Sequence, residues 1–132
     1  MATVSKEIFY RDFDVRFIAH PVTGKLIVKK NSDSVKQAVK NLLLTNFYER
    51  PYKPTFGSDV RSQLFENHTA FLEENLRNAI TTALENFEPR VQLLDIRFGG
   101  DPDRNELAVS IIFRPINQTA SVSLNLSLER VR

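Results

Sequence analysis

Apolar residues recur along this chain with two different periods, and the switch between them falls at Pro89. Before it, Leu72, Leu76, Ala79, Ile80, Ala83, Leu84 and Phe87 mark one stripe at helical spacing. That stripe predicts a helix from about residue 69 to Phe87, with Glu73 and Arg77 four apart on its wet side in the order that favours an ion pair. After Pro89 the period is two. Leu94, Ile96 and Phe98 alternate with polar residues, then Leu107, Val109, Ile111 and Phe113 do the same. The last run is the most regular, with Val122, Leu124, Leu126 and Leu128 on one face and Ser121, Ser123, Asn125 and Ser127 on the other. Gly99 to Asn105 and Pro115 to Ala120 supply the turns between these strands.

The first third is less periodic. Residues 1–12 show no clear repeat and are expected to form a flexible arm. Phe13, Val15 and Phe17 alternate as in a short strand with one buried face, His20 to Gly24 is a turn, and Lys25 to Lys29 is a second extended piece. Asn31-Ser32-Asp33 offers N-caps for a helix over about 33–46, whose stripe is Val35, Val39, Leu42 and Leu43. A loop containing Pro51 and Pro54 follows. Gly57 then makes a turn, and Ser58 caps a short helix that faces Val60, Leu64 and Phe65 inward. Helices followed by a strand meander predict one α+β domain over residues 1–132. In it the helices pack on one face of a small, mostly antiparallel sheet.

Composition narrows the chemistry. The chain has 132 residues, no Cys and a net charge of +2, which suits one domain in a reducing compartment. The absence of Cys excludes disulfides, thiol catalysis and Cys-based zinc sites. The near balance of charge, with Lys29-Lys30 and Arg130 scattered, argues against a nucleic-acid partner. No secretory leader is expected at Met1 to Lys6, and no apolar run reaches the ~20 residues of a membrane span.

His20 and His68 stand alone outside any metal-binding spacing, so neither a metal nor a cofactor is expected. Glu49, Glu66, Glu88 and Asp101 could supply the two carboxylates of a glycoside hydrolase. Glu49 and Glu88 each sit beside an arginine, which favours the ionised form, whereas a general acid must hold its proton.

Two acid–arginine joints remain, Glu49-Arg50 and Glu88-Pro89-Arg90. Pro89 stops the helix and removes a backbone donor, and the planar fork of Arg90 is suited to bidentate carboxylate recognition. Each joint is either an internal clamp or a contact with a partner.

Taken in order, Leu42-Leu43-Leu44-Thr45, Glu49-Arg50, Pro54 to Ser58, Leu64-Phe65-Glu66 and Glu88-Pro89-Arg90-Val91 resemble one family. It is the baseplate wedge family of contractile phage tails, which includes the sheath initiator of T4-like phages and has a relative in type VI secretion. The family commonly carries Gly before the Glu-Arg pair, where this chain has Tyr48. The resemblance implies a structural virion protein, assembled in the host cytoplasm, that docks on other wedge proteins and seeds the sheath. Sheath subunits, and the tail tube or hub, would be its further contacts. It also implies a fold in which neighbouring subunits add strands to a receiving sheet. Family members have also been described as lysozymes, which keeps a peptidoglycan hydrolase as the rival reading.

Strand addition needs an open edge. The run from Ser121 to Glu129 lacks Pro and carries charge only at its end, so its edge is lightly guarded. Whether this strand is outer or central cannot be read from sequence.

Overall fold

The computed structural model describes residues 10–63, 70–104, 106–116 and 118–129. A short hairpin, β1 (Arg11–Phe13) and β2 (Val28–Lys30), precedes helix α1 (Ser32–Leu44). After a long loop come a single turn of helix, α2 (Val60–Gln63), and the main helix α3 (Ala70–Phe87). The chain ends in an antiparallel meander of β3 (Val91–Gly99), β4 (Glu106–Pro115) and β5 (Val122–Glu129), in the spatial order β3-β4-β5.

The two apolar stripes meet the alternating face of the sheet, as the α+β reading requires. Val35, Val39, Leu42 and Leu43 of α1 and Leu72, Leu76, Ile80, Ala83 and Leu84 of α3 are buried. Opposite them lie Ile96 of β3, Leu107, Val109, Ile111 and Phe113 of β4, and Leu124, Leu126 and Leu128 of β5. Phe113 and Ile111 lose all contact with water. Truncating a side chain as buried as Phe113 costs about 3–5 kcal/mol, since transfer and cavity terms add.

Five expectations are corrected by local detail. Leu94 is exposed rather than buried, because a β-bulge shifts the register between Leu93 and Asp95. Leu93 opposes Phe113 and Asp95 opposes the next residue, Ile112, so Leu94 is the extra residue and the inward phase resumes at Ile96. Phe13, Val15 and Phe17 do not bury a face; all three are exposed. Asn31 stands at the N-cap of α1 with φ 49° and makes no side-chain cap bond, because its Oδ1 accepts the Tyr10 N–H instead. Arg77 reaches past Glu73, donates to the Ile96 carbonyl of β3 at 3.1 Å and lies 5.5 Å over the Phe98 ring. Ser58 does not cap the helix after it. Its hydroxyl donates to Leu43 O at 2.8 Å, closing the end of α1, while Asp59 Oδ2 holds Gln63 Nε2 of α2 at 2.9 Å. Leu64, Phe65, Glu66, His68 and most of the expected arm lie outside the described residues.

Candidate functional site

The joint at Glu88 is built by the end of α3. The Glu88 N–H still donates to Leu84 O at 3.0 Å, and Pro89 then breaks the ladder. The Glu88 side chain is buried, and both its oxygens are held by its neighbour but one. Arg90 Nε donates to Oε1 at 2.6 Å and Nη2 to Oε2 at 2.9 Å, a two-pronged pair. The guanidinium carbon lies 5.0 Å over the Tyr10 ring, and the Glu88 hydrogen bond holds the group even more firmly protonated than usual. Arg90 O accepts from Ile116 N at 2.9 Å, so the same residue starts the β3–β4 ladder. Helix, sheet and Tyr10 are thereby fixed to one another.

Glu49 and Arg50 are not paired in this way. Glu49 Oε2 accepts the Asn46 N–H at 2.8 Å, and Arg50 lies 4.8 Å over the Phe56 ring. Phe56 in turn meets Phe87 edge to face, with centroids 5.1 Å apart. Both joints therefore border one pocket of about 560 Å³, together with Asp12, Thr45, Phe56 and Phe87.

The loop between them is tightly folded. Gly57, at φ 142°, lies so close to α1 that a Cβ there would stand 2.8 Å from Thr45 O and from Asn46 O. Tyr48 and Tyr52 adopt the left-handed region at φ 64° and 67° with their rings in solvent. Tyr48 is the position where this chain departs from the glycine common in the family it resembles, and its backbone adopts a glycine-like conformation despite the side chain.

Among the described residues the strand order puts β5 on the border of the sheet. In an antiparallel ladder, successive residues turn their N–H and C=O groups alternately to the two neighbours. The Ile116–Arg90 bond sets that alternation, so the odd residues 107–113 of β4 face β5. Their partners are Val122, Leu124, Leu126 and Leu128, which leaves the main-chain groups of Ser123, Asn125 and Ser127 facing outward. Their side chains are exposed as well, and Ser121, just before the strand, is also exposed. A groove of about 980 Å³ runs along this edge, with Leu44, Phe47, Leu126 and Leu128 on its apolar side and Lys40 and Arg61 among its charged residues.

One further cluster escaped the sequence reading. Asp14 is buried and accepts the Arg16 N–H at 2.9 Å, Arg16 Nε at 3.1 Å and Arg16 Nη2 at 2.9 Å, with Lys29 Nζ at 3.9 Å. Those hydrogen bonds to Arg16 hold its carboxyl well below the usual carboxylate range. Asp95 and Arg97 form a third such pair at 3.1 Å, in solvent. A signal was present: acid-x-Arg occurs at Asp14, Asp59, Glu88 and Asp95, and all but Asp59 form the pair.

His20 Nδ1 accepts the Val22 N–H at 3.2 Å inside its turn. Among the described residues no group of three or more His, Asp or Glu is placed to hold a metal, and no helix is long and apolar enough to cross a membrane.

Residues 29–119 match the family of Baseplate wedge protein gp25. The chain is 33% identical over 84 residues to Baseplate wedge protein gp25 of Enterobacteria phage T4, a stretch that covers 64% of each protein. It thus spans just under two thirds of that relative's length. Solved structures share the fold, among them the following three. A Geobacter sulfurreducens protein named as a tail lysozyme superimposes with a TM-score of 0.73 at 19% identity, over 80% of this chain and 96% of that one. A chain of the anti-feeding prophage baseplate gives 0.64 at 20% identity, covering 89% and 83%. A chain of the postcontracted pyocin R2 baseplate gives 0.55 at 16%, covering 92% and 100%.

Proposed function

This chain belongs to the family of Baseplate wedge protein gp25, and from that premise we propose that it is a structural, non-catalytic subunit of a contractile-tail baseplate. It docks on other wedge proteins and starts sheath polymerisation by receiving a partner's strand along the outer edge of β5.

The observation that carries this reading is the pairing of an open edge with an apolar groove. Ser123, Asn125 and Ser127 offer main-chain donors and acceptors outward, and the groove beside them takes alternate side chains of an incoming strand. A soluble protein normally guards such an edge with Pro, a bulge or a charge, and β5 has none of these before Glu129. The Glu88–Arg90 pair supports the reading from the other end of the sheet: a strand acceptor must be rigid relative to the helices that touch the wedge.

The test is nucleation of sheath from purified sheath subunits by Asn125→Pro. That change removes an outward N–H and leaves the bonds to β4 intact, as proline is tolerated at sheet edges. Normal melting with lost nucleation is expected. Unimpaired nucleation would contradict the assignment of this edge.

A second reading, peptidoglycan hydrolysis, draws on the fold shared with the Geobacter sulfurreducens protein and on the pocket that Glu49 and Glu88 both border. Its weakness lies in the side chains. Both oxygens of Glu88 are engaged by Arg90, and Glu49 is bonded to the Asn46 amide. Turnover of purified peptidoglycan that disappears in Glu88→Gln would establish this reading and displace the first.

A further inference from the structure

The β1–β2 hairpin carries its apolar residues on the outside. Phe13 opposes Val28 across the hairpin, and Leu26, two residues before Val28, shares its face at the strand period. All three are exposed, as are Phe17 and Val22 nearer the tip. A two-stranded hairpin is marginally stable alone, so this one is tied down from behind. Gln37 of α1 donates to Phe13 O at 2.7 Å and accepts the Val15 N–H at 3.3 Å, while Asn31 N donates to Tyr10 O at 2.9 Å. Asp14 fixes the turn that holds Phe17 outward at φ 51°. The scaffold is built, and among the described residues nothing covers its outer face.

Charge says what covers it. Arg11 lies directly opposite Lys30, beside the Phe13–Val28 pair, and facing like charges destabilise a two-stranded sheet. Over residues 11–30 there are five Lys and Arg against two Asp, and Asp14 is already committed to Arg16 and Lys29. Arg11, Lys25 and Lys30 have no ion-pair partner among the described residues. Arg11 and Lys30, two like charges bordering an apolar stripe, repel the same face of a second copy of this chain and attract a carboxylate.

We propose that the outer face of the β1–β2 hairpin docks an apolar segment of another tail protein that carries carboxylates against Arg11 and Lys30. The match to the family begins at residue 29, so Lys30 lies inside it while Arg11 and Phe13 lie before it. The proposal relies on the wedge reading only for where the partner is to be found.

The experiment places a photo-crosslinker at the hairpin, Phe13→p-benzoylphenylalanine, and irradiates assembled tails containing the chain. The expected adduct is a segment of another tail protein in which Asp and Glu outnumber Lys and Arg. Arg11→Glu with Lys30→Glu should lower its yield about ten-fold at unchanged melting temperature, because like charges would then face the partner. No adduct, or an adduct to a second copy, to residues 1–9 or to a basic segment, overturns the proposal while leaving the wedge reading intact. Failure of the unmodified chain to enter tails overturns both.

Discussion

The helix–sheet body and the hairpin before it use the same fastener in opposite settings. In the body, buried Glu88 grips Arg90 two residues on and locks α3 to β3 above a closed apolar core. In the hairpin, buried Asp14 grips Arg16 two residues on and locks a turn whose apolar neighbours face solvent. The fastener fixes geometry in both cases. What differs is the setting: the body hides its apolar residues from water, and the hairpin leaves them facing it. An ion pair alone therefore marks a place where shape matters, and only the surroundings tell whether the shape serves folding or contact.

The comparison can be broken most easily in the body. Glu88→Ala leaves the Arg90 guanidinium half-buried without its partner and should lower stability in urea by about 2–3 kcal/mol. That is at or below the usual loss for a buried pair, because Arg90 keeps 34% of its side chain in water. A loss below about 0.5 kcal/mol, the ordinary range for a surface change, would remove the clamp from the account.

Asp14→Asn should act more locally. It is expected to raise amide exchange in residues 11–30 while the core amides of β4 stay protected. The pH dependence has a definite sign. A carboxyl whose folded pKa is depressed stabilises fully above its unfolded value of about 3.9, and that contribution is lost as pH falls toward the folded value. The parent protein should therefore lose hairpin protection progressively below about pH 4, and the Asn variant should show a flatter profile across the same window. Identical profiles would mean that Asp14 does not hold the turn.

Tyr48→Gly sharpens the comparison from the loop side. Relief of left-handed strain is worth roughly 1–2 kcal/mol, against roughly 0.5–1 kcal/mol of added chain entropy, so a net gain of about 0.5 kcal/mol is expected in thermal melting. A loss instead would mean that the exposed ring makes a stabilising contact. Smallest of all is Asp95→Ala, which breaks the same acid-x-Arg pair in open solvent and should change stability by less than about 0.5 kcal/mol. A larger effect would show that Asp95 matters through the Ile96 N–H it accepts at the bulge, at 2.8 Å.

Much of the body was legible in the sequence because periodicity reports burial directly. The stripes of α1 and α3 and the alternation of β4 and β5 mark residues that are buried or half-buried. Leu94 was misread because a bulge inserts one residue without changing composition. The hairpin was misread for a different reason: alternation of Phe13, Val15 and Phe17 predicts a one-sided strand but not whether that side meets this chain or another. Arg77 was assigned to Glu73 by helical spacing, yet a carbonyl and an aromatic ring on β3 take it instead. Ser58 sits where a cap belongs, and only the close approach that Gly57 permits turns its hydroxyl back onto α1. The two joints were found by charge and proline alone. That they border one pocket depends on the packing of Phe56 against Phe87, which no local pattern encodes.

The central claim is that β5 is an acceptor edge, and amide hydrogen exchange tests it most directly. In the free chain the outward amides of Ser123, Asn125 and Ser127 should exchange fast, while those of Leu124 and Leu126, bonded to β4, exchange slowly. In baseplates joined to sheath, the outward three should become protected to the level of their neighbours. If they stay fast while the chain is fully incorporated, no strand is added at β5 and the account of sheath initiation fails.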